Sequence, residues 1–167
     1  MIKDRVFVNE CGVGFDTIAL EYALTSKRVM RGVAAYLYGV LRAIMDNRPV
    51  TIDITREDGS IESRTLTVFA VANGGWIGGG MPIAPNANTR DGLFDIVMVP
   101  AMKRLQLLDA LRKLMRGDVM EIPGAETFRC REIAISGKEL SINVDGEIVH
   151  QDFARFKIVP KSLRIRA

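Results

Sequence analysis

The feature that most constrains this sequence is the run at positions 74–92, which is rich in glycine, proline and asparagine. Glycine loses much backbone entropy in a regular element, and proline removes a hydrogen-bond donor. Apolar, strand-like runs lie on both sides of it. We therefore predict a long surface loop between two strands, with backbone N–H and C=O groups free to bind a ligand.

A second polar signal comes later in the chain. The strand-like run 140–144 ends in an acidic turn, Asp145-Gly146-Glu147, and the long loop itself ends in Asp91-Gly92. Two acidic turns in an otherwise apolar domain indicate a site for a cation, a phosphate or a hydroxyl group.

Length and composition limit the class of protein. A chain of 167 residues with 48% hydrophobic and 26% charged residues is expected to form one globular domain, residues 1–167. The net charge of +3 is mild, so we expect no nucleic acid partner. No apolar run reaches the length of a membrane span, and the first residues lack the apolar core of a signal peptide, which predicts a cytoplasmic protein.

Apolar spacing of three and four residues predicts helices. We expect a short helix over residues 16–23 and a longer one from an N-cap at Ser26 to about Asp46. The expected apolar stripe of the longer helix is Val29, Val33, Leu37, Val40, Leu41 and Ile44. Another helix is expected after Pro100, ended by Gly117. The expected apolar side of that helix is Leu105, Leu108, Leu111, Leu114 and Met115. Its basic residues are expected largely on the other sides: Lys103, Arg104, Arg112, Lys113 and Arg116. We interpret them as a solvated helix face, with a membrane-facing patch as the less favoured alternative.

The rest of the chain is strand-like, with turns at Asp58-Gly59, at residues 136–138 and at Asp145-Gly146-Glu147. The predicted strands are 5–8, 50–55, 61–72, 93–99, 127–136, 139–144, 153–159 and 162–166. Because strands do not alternate regularly with helices, the fold class is predicted as α+β, a mainly antiparallel β-sandwich with two or three helices at its side.

Asp91 has two interpretations. It can be an ordinary turn residue whose carboxylate bonds its own backbone. It can also provide one carboxylate of a hard-cation site, with the backbone carbonyls of Asn88 and Leu93 converging on the same ion. Oxygen ligands with water suit Mg²⁺ or Ca²⁺.

Glu147 also has two interpretations. The acidic turn can be a simple hairpin connection. Alternatively, a carboxylate on a rigid turn can accept a proton from a substrate hydroxyl within hydrogen-bond reach, as phosphoryl transfer requires. The neighbouring histidine, His150, is expected to face solvent.

Taken in order, these elements resemble the C-terminal half of the bacterial diacylglycerol kinase and sphingosine kinase-like lipid kinases. The similarity covers the chain from about Phe7 to near its end. Its motifs are Phe7-Val8-Asn9 with Gly12-Val13-Gly14-Phe15-Asp16, the Gly78-Gly79-Gly80 loop with Pro85, Ala87, Asp91-Gly92 and Phe94-Asp95, and the turn Ile142-Asn143-Val144-Asp145-Gly146-Glu147.

The resemblance implies a β-sandwich domain that follows an N-terminal ATP-binding domain with a Gly-Gly-Asp-Gly-Thr motif, which this sequence lacks. It implies that Glu147 is the general base in the cleft between the two domains. It also implies a structural Mg²⁺ at Asp91 and the backbone oxygens of Asn88 and Leu93, while a catalytic Mg²⁺ accompanies ATP. Without the ATP-binding half, the chain alone is expected to be inactive.

The implied acceptor is a lipid with a primary hydroxyl, diacylglycerol-like or sphingosine-like. The expected partners are this lipid, the protein's own N-terminal domain, a membrane surface contacted peripherally and, through an exposed strand edge, a second copy of the chain. Two alternatives stay open: a non-catalytic module that binds lipid or a partner, and a kinase domain similar to NAD kinase. An apolar pocket with Ile77, Met81 and Ile83 would favour the lipid, and several polar contacts would favour the nucleotide.

Overall fold

The fold is a strongly curved antiparallel sheet with helices on one face. The computed structural model describes residues 5–26, 33–77 and 80–163. Its strands are β1 (Glu10–Gly14), β2 (Val50–Thr55), β3 (Ile61–Ala72), β4 (Phe94–Pro100), β5 (Glu126–Cys130), β6 (Glu132–Val144) and β7 (Glu147–Lys157).

Two long strands, β3 and β6, organise the sheet. The short strands β1 and β2 both lie between them, each pairing with β3 on one side and β6 on the other. Strands β4 and β5 extend the sheet beyond β3, and β7 pairs with the outer edge of β6. Every one of these pairings is antiparallel, and the architecture agrees with the predicted α+β, sandwich-like class.

Alternating side chains give the sheet two apolar faces. In β3, Val68 and Ala70 join the core beneath the helices, whereas Phe69 and Val71 point into the concave side of the sheet. The two cores therefore lie on opposite sides of the same strands, which fixes the register of the central sheet.

The helices differ from the prediction near Ser26. Helix α1 covers Phe15–Ser26, α2 covers Val33–Asp46 and α3 covers Arg104–Arg116, followed by a short 3₁₀ turn at Val119–Glu121. Ser26 is therefore the last residue of α1, not an N-cap, because its hydroxyl donates back to the Ala23 carbonyl at 2.9 Å. The predicted start of the longer helix, residues 27–32, lies outside the described residues.

The buried, apolar faces predicted for α2 and α3 are also partly wrong. In α2, Val40 and Ile44 are buried, but Leu37 and Leu41 are exposed. In α3 the buried side is Leu107, Ala110 and Leu114, while three of the expected core residues, Leu105, Leu108 and Met115, face solvent. The sheet accepts only one stripe of each helix, and sequence spacing alone did not identify which one.

Three strand predictions need correction. Residues 5–8 form no strand; the first strand is Glu10–Gly14, which begins two residues after the predicted one ends. Residues 136–138 are an irregularity inside β6, not a turn, because β7 pairs with β6 on both sides of it. Ser162 and Leu163 are not in a strand, and the remainder of that predicted strand, 164–166, lies outside the described residues.

Other predictions are confirmed. The β2–β3 hairpin turns at Asp58 and Gly59, strand β4 follows the glycine-rich loop, and Gly117 ends α3 in a left-handed conformation with φ of 83°. Within the described part of the chain, no helix combines the length and the hydropathy that a membrane crossing requires.

Candidate functional site

The acidic turn at Asp145-Gly146-Glu147 connects β6 to β7. Val144 pairs with Glu147 across the hairpin, which leaves Asp145 and Gly146 as a two-residue turn. Both have positive φ, 47° and 92°, as a type I′ turn requires. The Asn143 side-chain oxygen accepts a hydrogen bond from the Gly146 N–H at 2.8 Å, so a side chain as well as the strand pairing holds the turn.

Asp145 anchors the N-terminal segment to this turn. Its carboxylate accepts hydrogen bonds from three consecutive backbone N–H groups, those of Val8 at 2.6 Å, Asn9 at 3.0 Å and Glu10 at 2.8 Å. The Asp145 N–H in turn donates to the Glu10 carbonyl at 3.0 Å. The segment at residues 8–10 and the acidic turn therefore form one rigid unit, which we call the Asp145 clamp.

Glu147 lies on the outside of this unit. Its side chain is 75% exposed, and its Oε2 accepts from Arg5 Nη1 at 2.7 Å. An exposed carboxylate on a rigid turn can meet a second molecule, which is the placement that a general base needs. Arg5 is the neighbour that a substrate would encounter beside it.

A buried acidic group lies next to the clamp. Glu10 is 97% buried in β1, and Asp16 follows it in the first turn of α1. The Asn143 amide donates to Glu10 Oε1 at 2.8 Å and to Asp16 Oδ2 at 3.2 Å, so it bridges the two carboxyl groups. The other two oxygens, Glu10 Oε2 and Asp16 Oδ1, are buried without a hydrogen-bond partner among the described residues.

Burial changes the ionisation of both groups. Desolvation raises the pKa of Glu10, and the neighbouring carboxylates of Asp16 and Asp145 raise it further. Desolvation also raises the pKa of Asp16, against an opposing effect of its hydrogen bonds, first the one from Asn143. The low dielectric around two carboxyl groups favours a state in which one of them keeps its proton.

These groups line a pocket of about 280 Å³. Its apolar wall is Leu20, Tyr36, Ile77 and Met81, and its polar wall is Asn9, Glu10, Asp16, Asn143, Asp145 and Gly146. A mostly apolar concavity with a few converging polar groups is typical of a small-molecule site. Ile83, which the sequence placed in such a pocket, is instead buried in the core beneath the helices.

The glycine-rich loop forms one side of this pocket. Ile77 and Met81 pair as an isolated bridge, and the Tyr36 hydroxyl lies 3.5 Å from the Met81 sulfur. Gly78 and Gly79, which the resemblance includes, lie outside the described residues. At Gly74 a Cβ would come within 2.2 Å of the Asn9 side-chain oxygen, so the loop can approach the N-terminal segment only because this residue is glycine.

The other acidic turn has a different environment. Asp91 Oδ1 accepts from the Leu93 N–H at 2.9 Å, and the Asn88 carbonyl accepts from the Asp91 N–H at 3.2 Å. Asp91 Oδ2 lies 4.0 Å from Arg129 Nη1, and the same guanidinium bonds Asp95 Oδ1 at 3.0 Å. The turn thus has the self-bonded geometry of the simpler interpretation of Asp91.

The donors at this turn still suit a hard cation in kind. One carboxylate with the carbonyls of Asn88 and Leu93 is an all-oxygen set, and nearby Asp95 Oδ2 is buried with no partner in the described chain. Among the described residues no three His, Cys, Asp or Glu side chains cluster as a metal site, so an ion here would depend on carbonyls and water.

A second hollow, of about 310 Å³, opens beside Asp91. It is lined by Arg90, Asp91, Gly92, Arg131, Glu132, Lys157, Ile158, Pro160 and Lys161. Four of these side chains are basic, so the hollow itself favours an anion, and a cation at the neighbouring turn would depend on the Asp91 carboxylate and the carbonyls to offset their charge. The hollow is slightly larger than the first pocket, has more charged side chains and shares no residue with the acidic turn of Glu147.

The structure therefore separates the predicted site residues into two groups. Glu147 belongs to the β6–β7 turn and the apolar pocket, whereas Asn88, Asp91 and Leu93 belong to the end of the glycine-rich loop. Sequence reasoning assigned no role to Glu10, Asp16 or Asn143. Asp16 and Asn143 stand in motifs of the resemblance, but nothing in the sequence shows that they meet Glu10, because Asn143 lies more than 120 residues from the other two.

Comparisons with known proteins identify the family of the chain. The model of the family described as the YegS C-terminal NAD kinase beta sandwich-like domain matches residues 9–167. The candidate lipid kinase YtlR of Bacillus subtilis (strain 168) is 30% identical over 96% of the chain, and a diacylglycerol kinase of Mycobacterium tuberculosis (strain H37Rv) is 25% identical over 97%. The chain covers 54% and 52% of these relatives, about half of their length.

Solved structures show the same fold. The crystal structure of a candidate diacylglycerol kinase from Bacillus anthracis str. Sterne superposes with a TM-score of 0.69 at 21% identity, covering 92% of this chain and 50% of that one. A second structure of a diacylglycerol kinase from that organism gives a TM-score of 0.58 at 18% identity, covering 92% and 47%. At these identities the likeness establishes the fold alone.

Proposed function

Because the chain belongs to the family of YegS C-terminal NAD kinase beta sandwich-like domains, we propose that it is the acceptor-binding half of an ATP-dependent lipid kinase. The acceptor is a primary hydroxyl of diacylglycerol or a related lipid. One observation carries the proposal: the largely apolar pocket shares Asp145 and Gly146 with the turn that presents Glu147. An acceptor held in this pocket has its polar end beside the proposed base.

In the proposed reaction Glu147 removes the proton of the lipid hydroxyl. The hydroxyl oxygen then forms a bond to the γ-phosphorus of ATP, and the bond from that phosphorus to the oxygen bridging to the β-phosphate breaks. The proton resides on the Glu147 carboxyl group, and the electron pair leaves with ADP. The Asp145 clamp keeps the base in position, since positioning is most of what phosphoryl transfer asks of a protein.

The pocket chemistry favours a lipid alcohol over a nucleotide acceptor. The carboxylates of Asp16 and Asp145 give its polar wall an acidic character, which repels the phosphates of a dinucleotide. A neutral hydroxyl carries no charge for these carboxylates to repel. Leu20, Ile77 and Met81 offer apolar contact to the first carbons of an acyl chain.

The proposal includes a second domain that binds ATP. Since the chain spans about half of its curated relatives, we infer that the full-length protein supplies ATP from an N-terminal domain. The 167-residue chain alone is then expected to transfer little phosphate. A lipid substrate further implies a protein that is cytoplasmic and associates peripherally with a membrane.

Asp91 is proposed to hold a structural Mg²⁺ with the carbonyls of Asn88 and Leu93. When bound, the ion would supply positive charge that draws the end of the glycine-rich loop together. The chain's own part is to orient the Asp91 carboxylate through the Leu93 N–H and to keep Arg129 between Asp91 and Asp95. No step of phosphate transfer depends on this turn.

Radiolabelled phosphate transfer from ATP to a panel of lipids tests the proposal. The full-length protein is compared with Glu147→Ala and with Glu126→Ala, an exposed glutamate in β5 that also pairs with one arginine, Arg64, and lies outside the pocket. We expect transfer to at least one lipid alcohol, abolished only by Glu147→Ala. No transfer to any lipid would favour a binding module, and transfer to a nicotinamide nucleotide would favour the NAD kinase-like alternative.

A further inference from the structure

Helix α3 carries two apolar stripes, only one of which packs against the sheet. The inner stripe is Leu107, Ala110 and Leu114, all buried. The outer stripe is Leu105, Leu108 and Met115, which are 81%, 51% and 64% exposed. The spacings of three and seven residues place the outer three on one face of the helix. We call this the outer face of α3.

The outer face is also basic. Arg104, Arg112 and Arg116 are all exposed, and within the described residues no carboxylate forms an ion pair with any of them. The one acidic residue of the helix, Asp109, already pairs with Lys113 at 2.8 Å. Apolar side chains flanked by arginines are characteristic of helices that lie in the interface of an anionic membrane.

The far end of α3 lies next to the pocket. Gly117, which ends the helix, is so close to Pro82 and Pro85 that a Cβ would lie 3.5 and 3.6 Å from their Cγ atoms. These prolines belong to the same loop as Met81, which lines the pocket. Met120, in the 3₁₀ turn after α3, is 66% exposed and extends the apolar surface at this end.

We propose that the outer face of α3 docks the protein on the surface of an anionic phospholipid bilayer. Leu105, Leu108 and Met115 enter the boundary between headgroups and acyl chains, and the three arginines bind lipid phosphates. This inference rests on the proposed function, because a kinase that phosphorylates a lipid must take that lipid from a membrane. Docking there holds the loop that carries Met81, and with it one wall of the pocket, close to the bilayer.

Charge and size argue against a second copy of the chain as the occupant. Two basic faces of the same kind repel each other. Three apolar side chains separated by arginines also provide far less than the roughly 800 Å² per partner of a stable protein interface. Both features instead suit a fluid, negatively charged surface.

Vesicle co-sedimentation tests the docking face without ATP. Full-length protein is mixed with phosphatidylcholine vesicles and with vesicles in which about a third of the lipid is phosphatidylglycerol. Two variants alter the face: L105N/L108N and R104Q/R112Q/R116Q. Their matched controls are I61N, an apolar residue that is 70% exposed on the hairpin side of the sheet, and K138Q/R155Q/K157Q, which removes as many charges elsewhere.

We expect the arginine variant to bind the anionic vesicles on the order of a hundredfold more weakly, and added salt to weaken the wild type similarly. The leucine variant should also bind more weakly, while both controls bind as the wild type does. Equal binding by the α3 variants and their controls would overturn the proposal. So would a wild-type dimer in solution that the α3 variants convert to a monomer.

Phosphate transfer to a short-chain acceptor in detergent separates this inference from the proposed function. All the substituted positions are on the surface, and thermal unfolding checks that each variant is folded. If the outer face of α3 docks on the membrane, the α3 variants should transfer phosphate normally in detergent and more slowly on vesicles. If the vesicle binding is as expected but neither the wild type nor any variant transfers phosphate, the kinase proposal fails. The proposal that the outer face of α3 binds the membrane is then still supported.

Discussion

Two Asp-Gly turns look alike in the sequence and behave differently in the structure. Gly146 and Gly92 both have positive φ, 92° and 75°, and each follows an aspartate. Asp145, however, accepts N–H groups from a segment more than 130 residues away, whereas Asp91 accepts one from its own turn. The first turn is fixed by tertiary contacts and borders a pocket; the second is a local structure on a basic surface.

The difference indicates where a functional group can be held rigidly. A turn that bonds only itself depends on its own sequence, while a turn joined to a distant segment keeps its position relative to the rest of the site. Glu147 follows the turn at Asp145 and Gly146, which a distant segment also holds in place. Such a fixed position suits a base that must meet a substrate at hydrogen-bond distance. Asp91 lies at the end of the glycine-rich loop, in a locally bonded turn that a bound ion could hold in place.

The largest stability effect should come from Asp145→Ala. It leaves the N–H groups of Val8, Asn9 and Glu10 without their shared acceptor, so we expect a loss of about 2–4 kcal/mol in the free energy of unfolding. Urea unfolding measures it. Asp145→Asn, which keeps one carbonyl acceptor, should recover part of the loss. If Asp145→Ala costs no more than Asp91→Ala, the two turns are equivalent and the clamp has no special role.

Glu10→Gln should change how stability depends on pH. The folded pKa of Glu10 is raised above its ordinary value of 4.5, so the folded state binds the proton more tightly than the unfolded state. The associated stability is complete at acidic pH and declines as pH rises above about 4.5 toward the raised folded value. The neutral amide removes this decline.

Thermal unfolding followed from pH 5 to pH 8 checks the Glu10 prediction. The wild type should lose stability across this interval relative to Glu10→Gln, which should be the more stable protein at the upper end. Glu139→Gln, at an exposed position, is the matched control. Parallel curves for wild type and Glu10→Gln would mean that Glu10 is not held in a protonated, buried state.

Asp91→Ala should have the smallest effect on stability. It removes one hydrogen bond to the Leu93 N–H and a distant contact with Arg129, a loss of about 1 kcal/mol. Elemental analysis of the purified protein should also show that bound metal is lost. Asp58→Ala, which removes a similar bond to the Ser60 N–H at 2.9 Å, is the control. Unchanged metal content in Asp91→Ala would contradict the cation site.

Local patterns predicted the parts of the fold that local physics determines. The alternation in β2, the Asp58-Gly59 turn, the glycine-rich loop and the left-handed Gly117 each depend on neighbouring residues. The turn around Glu147 was also identifiable, because Asp-Gly is a strong hairpin signal. The family resemblance then gave that turn a chemical meaning that the pattern alone did not have.

The remaining features depend on contacts between distant residues. Gly12 and Gly14 both lie in β1, and a Cβ on Gly12 would come within 2.1 Å of Asp16 Oδ2. Glycine at position 12 leaves room for the Asp16 carboxylate, which Asn143 contacts from a distant strand, and no spacing in the sequence shows that. The acidic pair of Glu10 and Asp16 likewise becomes visible only when Asn143 lies between them.

Helix α3 illustrates the same limit. Leucines at 105, 107, 108, 111 and 114 support more than one apolar stripe, so periodicity does not decide which stripe meets the sheet. In the structure Leu107 and Leu114 pack into the core beneath the helices, and Leu105 and Leu108 are exposed. What sequence analysis treated as core is, in the structure, the surface proposed to dock on lipid.

The most direct test of the central claim is single-turnover phosphate transfer from ATP to diacylglycerol by the full-length protein. Glu147→Gln is compared with Asp91→Asn, one conservative change in each acidic turn. We expect Glu147→Gln to slow transfer about 10²–10⁴-fold while acceptor binding is retained, and Asp91→Asn to change the chemical step little. Equal rates for Glu147→Gln and wild type, or an equal loss in both variants, would contradict this claim.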